Sequence, residues 1–100
     1  MVKLIGYCRI NRADGELEKQ QNLIKNYAKE KELPYELHHE IKSGVDKEMT
    51  LLNELIESAT SGDILAVTDR SRLTRNASQL TKIMKKISDY NIQLVVLQNN

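Results

Sequence analysis

The sequence predicts an α/β fold, a three-layer domain in which one parallel sheet of four strands lies between helices. Apolar runs typical of strands alternate with segments of helical period, in the order β-α-β-α-β-α-β. Such alternation indicates right-handed crossovers that place helices on both faces of the sheet. The length of 100 residues suffices for a single core but not for two. We therefore expect one domain over residues 1–100.

The first strand is predicted at Val2–Arg9, a short apolar run without the alternation that would leave one face wet. Turn residues follow at Asn11–Gly15. A helical period then begins at Glu16, and Pro34 prevents this helix from continuing. Its apolar side contains Leu17, Leu23, Ile24, Tyr27 and Ala28.

The second strand is predicted at Tyr35–Ile41, where apolar and polar residues alternate. One wet face suits a position at the edge of the sheet, so the predicted strand order is 2-1-3-4. His38 and His39 are adjacent in this strand and point to opposite faces, which argues against a shared metal site.

A loop over Lys42–Glu48 leads to a second helix, which Ser61-Gly62 closes. Ile64–Val67 is the third strand. Asn76 is placed to cap a third helix, with Gln79 at the capping-box spacing. The apolar stripe of this helix comprises Leu80, Ile83, Met84 and Ile87, and Met84 in this stripe is predicted to be a core residue.

A last buried strand is predicted at Ile92–Leu97. Nine apolar side chains drawn from the strands and helices should form the core. They are Leu4, Leu52, Leu55, Leu65, Val67, Ile83, Ile87, Leu94 and Val96.

The five arginines of the chain are confined to the ends of two predicted strands, whereas its ten lysines are scattered. Arg9 and Arg12 follow the first strand, and Arg70, Arg72 and Arg75 follow the third. The guanidinium group grips phosphate or carboxylate as a planar fork, which the lysine ammonium cannot do. Chance clustering on a solvated face is the alternative, but such a face would mix arginine with lysine.

If the first and third strands are central neighbours, both arginine clusters meet beyond the carboxyl ends of the strands. Ligands bind there in open α/β sheets, where neighbouring crossovers leave to opposite faces. Helix N-termini at this edge would add partial positive charge. The predicted ligand is an anion, most simply a phosphate.

Composition limits the partners of this site. The net charge is +1 and the isoelectric point about 7.8, so any contact with nucleic acid must be local and weak for this domain alone. The sequence shows neither a signal peptide nor an apolar run of membrane-spanning length. The single cysteine, Cys8, lies in the first strand and fits a reduced, cytoplasmic protein in which it is a small core residue.

The motifs that carry these arginines resemble the catalytic domain of the serine recombinases, the resolvase/invertase family. That family opens with a strand ending Tyr-x-Arg-Val/Ile-Ser, which matches Tyr7–Asn11. Its Asp-Arg-Leu-x-Arg motif matches Ser71–Arg75. Three shorter motifs match at compatible spacing, and the resemblance runs from Leu4 to Leu97. The matched residues are Gln20, the Ser43-Gly44 pair and the Gly62-Asp63 pair.

The resemblance implies a DNA strand exchange without metal or other cofactor, in which a serine attacks a phosphodiester and forms a 5′-phosphoserine linkage. It implies that Arg9, Arg72 and Arg75 hold the phosphate and that Gln20 supports the site. We assign Arg12, Ser43, Arg70 and Ser71 to the surrounding DNA- or phosphate-binding rim. It further implies DNA and either a second copy or a partner recombinase subunit as partners. The long helix and the DNA-binding domain of the family are expected to lie outside this chain.

Three departures predict that the chain is catalytically silent. Asn11 stands at the position of the nucleophilic serine, and a carboxamide cannot form the phosphoester. A further family arginine falls near Met49, where Lys47 is the nearest cation. Ser71 replaces the aspartate that would orient an arginine. The alternative function is a non-enzymatic phosphate- or nucleotide-binding module or a regulatory dimerisation module, although neither strand is followed by a glycine-rich phosphate loop.

Overall fold

The computed structural model describes residues 2–10, 16–41, 50–74 and 76–98. Four strands form one parallel sheet in the order β2-β1-β3-β4, which confirms the predicted fold and strand order. The strands and helices are β1 (Leu4–Ile10), α1 (Glu16–Glu30), β2 (Tyr35–Ile41), α2 (Thr50–Ser58), β3 (Ile64–Val67), α3 (Ala77–Asp89) and β4 (Gln93–Val96). A 3₁₀ turn at Arg70–Arg72 joins β3 to α3.

β1 is central, and all seven of its residues are buried. Its side chains alternate between the two halves of the core, because successive strand residues point to opposite faces of the sheet. Leu4 and Cys8 pack with α1 through Ile24 and Ala28. The opposite face of the sheet packs against α2 and α3 in a larger cluster, which includes Ile5, Tyr7, Leu52, Leu55, Leu65, Val67, Ile83 and Ile87.

Gly6 lets α1 approach β1 closely. A Cβ atom at this position would lie 2.8 Å from Cγ2 of Ile24 and 2.8 Å from Cδ2 of Leu37. Both distances are shorter than carbon atoms tolerate in ordinary contact. The glycine therefore sets the spacing between the helix and the sheet.

The predicted edge position of the second strand is confirmed, and β2 has exposed side chains at both ends, Tyr35 and Ile41. The predicted burial of Leu94 and Val96 is wrong, since both are only half-buried. β4 is the other edge strand and pairs with β3 alone. An apolar run can therefore belong to an edge strand as well as to a central one.

Two side chains of the predicted apolar helix faces lie outside the core. Met84 is exposed, because it lies on the rim of the stripe that Ile83 and Ile87 direct inward. Leu23 is also exposed and borders a pocket beside α1. Val2, expected at the start of the first strand, is exposed and precedes β1.

Asn76 caps α3 as predicted, and its Oδ1 accepts a hydrogen bond of 3.1 Å from the backbone N–H of Gln79. The side chain of Gln79 in turn accepts from the hydroxyl of Thr74 at 3.1 Å. No helix of the described ranges has both the length and the apolar composition needed to cross a membrane.

Candidate phosphate-binding site at the carboxyl edge of the sheet

The main chain of Arg9 is the point where the two predicted arginine clusters meet. Nη1 of Arg72 donates a hydrogen bond of 3.0 Å to the carbonyl oxygen of Arg9. This contact exists because β1 and β3 are parallel neighbours, so that the 3₁₀ turn after β3 reaches the carboxyl end of β1. It joins residues 63 positions apart in the sequence.

Gln20 holds the same peptide groups from the α1 side. Its Oε1 accepts from the backbone N–H of Arg9, and its Nε2 donates to the carbonyl oxygen of Arg9, both at 3.3 Å. Both Arg9 and Gln20 are buried. The structure thus brings Arg9, Gln20 and Arg72 together, and Gln20 fixes the backbone at the end of β1.

Asp69 also belongs to this site, although the sequence analysis did not predict it. Its Oδ2 lies 3.6 Å from Nε of Arg72, and the two side chains are mostly shielded, with 19% and 23% of their surfaces exposed. Its Oδ1 accepts hydrogen bonds from the backbone N–H of Ser71 at 2.9 Å and from the hydroxyl of Ser71. The expectation that Arg72 lacks a carboxylate because Ser71 replaces the family aspartate is therefore wrong.

The sequence did contain a signal for Asp69. Residues three apart lie on the same side of a 3₁₀ turn, and Asp69 stands three positions before Arg72. Reading it required knowing that the arginine stretch forms such a turn. Nothing in the resemblance indicated this, since the motif places its aspartate directly before the arginine.

Tyr7 and Cys8 occupy opposite faces of β1 next to the site. The hydroxyl of Tyr7 donates a hydrogen bond of 2.6 Å to Oε1 of Glu40. Burial, followed by this contact with Glu40, raises the pKa of Tyr7 well above its usual range, although the charge of Arg9 opposes the shift. Burial also raises the pKa of the Cys8 thiol to about 11, against a smaller opposing effect of Arg72. Cys8 is a buried free cysteine, as predicted.

A pocket of about 260 Å³ opens between α1 and the ends of β3 and β4. Its wall is predominantly polar and includes one of the site arginines. The lining residues are Lys19, Gln20, Leu23, Thr68, Arg72 and Gln98.

The remaining predicted site residues divide into two groups. Arg70 and Ser71 are exposed on the 3₁₀ turn, beside Arg72. Asn11, Arg12, Ser43 and Arg75 lie outside the described residues, as do Lys47 and Met49. Within the described part of the chain, no three His, Cys, Asp or Glu residues are grouped to hold a metal ion.

Solved structures with this fold include catalytic domains of serine recombinases. The C-terminal catalytic domain of ISC1926 TnpA, an IS607-like serine recombinase, superposes with a TM-score of 0.80 at 23% identity, covering 99% of this chain and 72% of that one. The corresponding domain of IS1535 TnpA gives 0.77 at 21% identity, over 94% and 70% of the two chains. A serine recombinase from Sulfolobus solfataricus gives 0.71 at 17% identity, over 100% and 71%. These similarities show the shared fold.

Two curated relatives, both called Resolvase, come from Clostridium perfringens. One is 26% identical over 84 residues, and the other, from strain 13 / Type A, is 27% identical over 86 residues. The alignments cover 84% and 86% of this chain but only 43% and 44% of the relatives, so the chain spans less than half of their length. The model of the resolvase N-terminal domain matches residues 4–100, and the chain belongs to that family.

Proposed function

We propose that the chain is a DNA-engaging domain of the serine recombinase type, in which the carboxyl edge of the sheet receives a DNA phosphate. The observation that carries this proposal is the convergence of Arg72 and Gln20 on the main chain of Arg9. Gln20 on α1 and Arg72 on the 3₁₀ turn thereby fix the backbone of Arg9 at the end of β1. Holding a phosphate depends on such fixed, charged hydrogen-bond donors.

In this proposal Arg9, Arg72 and Arg75 hold the phosphate, and Arg12, Ser43, Arg70 and Ser71 contact the surrounding DNA backbone. Gln20 acts through the backbone of Arg9 and is a positioning residue. Asp69 orients Arg72 through its ion pair. The family relationship further supports a second copy or a recombinase subunit as a partner.

We further propose that the domain does not break DNA by itself. Asn11 occupies the position of the serine nucleophile in the family motif, and its carboxamide cannot form or release a phosphoester. Loss of a catalytic nucleophile lowers the rate of an enzyme by roughly a millionfold. The domain would then act by holding DNA, alone or beside an active subunit.

The proposal is tested by the salt dependence of binding to a fluorescein-labelled 30-base-pair duplex, followed by anisotropy. Non-specific binding through a few phosphate contacts has dissociation constants on the order of 10⁻⁴ to 10⁻⁶ M and weakens as salt rises. Arg72→Gln should weaken binding severalfold. It should also reduce the slope of log Kd against log salt concentration by the amount of about one phosphate contact. Lys85→Gln is the matched control, since it removes one positive charge from an exposed position on α3. Equal effects of both variants would contradict a localised site.

A further inference from the structure

Arg9 carries a positive charge into a shielded position at the end of β1. Only 8% of the residue is exposed. Arginine is rarely buried to this degree without a partner of opposite charge, because removing a guanidinium group from water is unfavourable. The other described arginine of the site that is shielded, Arg72, has such a partner in Asp69, at 3.6 Å. The surroundings of Arg9 should therefore also include a carboxylate.

Glu40 on the neighbouring strand is placed to be that carboxylate. It is the residue of β2 that pairs with Arg9 in the parallel register of the two strands. Adjacent strands lie about 4.8 Å apart, and paired residues direct their side chains to the same face of the sheet. Glu40 is half-buried at this position. The two side chains thus leave the sheet next to each other, at the edge where the candidate site lies.

Tyr7 fixes the orientation of the Glu40 carboxylate. Its hydroxyl donates a hydrogen bond of 2.6 Å to Oε1 of Glu40, and the residue is fully buried. Tyr7 lies two positions before Arg9 in β1, so both side chains are on the same face. Burial is the main cause of the raised pKa of Tyr7, to which Glu40 adds and which the charge of Arg9 opposes. Both charges therefore act at the Tyr7 hydroxyl.

A carboxylate beside a phosphate site requires an explanation. Its negative charge repels the phosphate, so Glu40 would weaken binding if it acted through its charge alone. It can favour binding only by holding a cation in the geometry that the phosphate needs. The hydrogen bond from Tyr7 engages Oε1, and a carboxylate has a second oxygen that can accept from a guanidinium group.

We propose that Glu40 is a positioning residue for Arg9, in which the carboxylate holds the guanidinium group and Tyr7 holds the carboxylate. The inference rests on the proposed function, in which Arg9 contacts a DNA phosphate. It adds to the site a residue of β2, an edge strand in which the sequence analysis predicted no site residue. Each of the two shielded arginines, Arg9 and Arg72, would then be oriented by its own acid.

The test compares Glu40→Gln with Glu36→Gln in binding of the labelled duplex. Both variants remove one negative charge from the same face of β2, but Glu36 pairs with Ile5, farther from the site. If charge alone mattered, Glu40→Gln would bind the duplex more tightly than the wild type does. We expect it instead to bind severalfold more weakly, although its net charge is more positive by one. Glu36→Gln should bind as the wild type does or slightly more tightly.

Relaxation of the ¹⁵Nε nucleus of Arg9, measured without DNA, tests the positioning itself. The guanidinium group should become more mobile in Glu40→Gln and in Tyr7→Phe, and it should stay ordered in Glu36→Gln. A purely structural role of Glu40 would lower the thermal midpoint without this selective change. If Glu40→Gln does not fold, Tyr7→Phe provides the test, because it keeps the buried ring and removes only the hydroxyl that holds Glu40.

The outcomes distinguish this inference from the proposed function. Unchanged order of Arg9 in Glu40→Gln, or tighter binding of the duplex by this variant, would overturn the role of Glu40. The proposed function would stand in that case if Arg72→Gln still bound the duplex poorly. A mobile Arg9 without loss of binding, while Arg72→Gln binds poorly, would also overturn the inference, because the held arginine would not serve the phosphate. If Arg9 became mobile and none of these variants weakened binding, the contact would be supported and the proposed function overturned.

Discussion

Asp69 and Arg72 form an ion pair across the 3₁₀ turn, with 3.6 Å between Oδ2 and Nε. The same arginine donates through Nη1 to the carbonyl oxygen of Arg9. One guanidinium group is thus held on one side by a carboxylate and on another by the end of β1. This arrangement places the carboxylate two positions earlier in the sequence than the family motif does.

Substitution of Asp69 separates its two roles. Asp69→Ala removes both the ion pair and the cap of the 3₁₀ turn, and we expect a loss of about 1 kcal/mol in the free energy of unfolding. Asp69→Asn keeps an oxygen that can accept from Ser71, so it should cost less than about 0.5 kcal/mol. Both variants should increase the fast motion of the Arg72 guanidinium group, measured by ¹⁵Nε relaxation. Unchanged relaxation in both variants would show that the carboxylate does not hold the arginine.

Relocating the carboxylate gives a complementary test. In the double variant Asp69→Asn/Ser71→Asp the acid returns to the position it has in the family motif. We expect this variant to restore the order of the Arg72 guanidinium group, measured in the same way. Continued fast motion would indicate that only Asp69 has the required geometry, and the family register would then not apply to this turn.

Gly6 is predicted to be intolerant of a side chain. Gly6→Ala would place a methyl group 2.8 Å from atoms of Ile24 and Leu37, so α1 and β2 must shift. We expect a loss of about 1–3 kcal/mol in the free energy of unfolding, measured by urea denaturation. Ser78→Ala, on an exposed position of α3, is the control and should change stability little. A stability of Gly6→Ala equal to that of the control would contradict the close packing of α1 on β1.

Cys8 should make the protein less stable in mild alkali. Its pKa rises from 9.0 to about 11 in the folded state, so above pH 9 the unfolded chain loses this proton first. The stability that the Cys8 thiol contributes is therefore fully present below pH 9. It is lost as the pH rises to about 11, and the free energy of unfolding falls by no more than about 1.4 kcal/mol per pH unit. Between pH 9 and 10, the unfolding free energy of Cys8→Ala should fall less steeply than that of the wild type. If the unfolding free energies of the two proteins fell equally steeply over this pH range, the raised pKa of Cys8 would be contradicted.

The expected absence of catalysis is tested with a duplex carrying a nick, which traps covalent protein–DNA adducts. We expect no adduct from the wild type or from Asn11→Ser. The single variant still lacks the family arginine near Met49, and active-site residues that act as a unit are not restored by one repair. Asn11→Ser/Met49→Arg is the informative variant. Adding Ser71→Asp to it should give no gain, since Asp69 already supplies a carboxylate to Arg72. An adduct with the wild type would overturn the proposed silence.

The order of the strands could be predicted because β2 has a half-polar pattern and the other strands do not. Burial in β4 could not, since Leu94 and Val96 belong to an apolar run whose edge position depends on tertiary pairing. Met84 shows the same limit for helices, where periodicity gives a stripe but not its margins. Asp69 was missed because its contact with Arg72 depends on a local 3₁₀ turn. Elements that follow from hydrophobic periodicity could thus be predicted from the sequence. Contacts that depend on a few backbone dihedral angles could not.

Engagement of DNA phosphates by the carboxyl edge of the sheet can be mapped by NMR in a titration with an unlabelled short duplex. We expect saturable, salt-sensitive shifts in the backbone amides of Arg9, Thr68, Arg72 and Gln98. In Arg72→Gln these shifts should be strongly reduced, while the signals of α3 stay in place. Shifts confined to the lysines of α3, or shifts at the sheet edge that persist undiminished in Arg72→Gln, would show that DNA binds elsewhere.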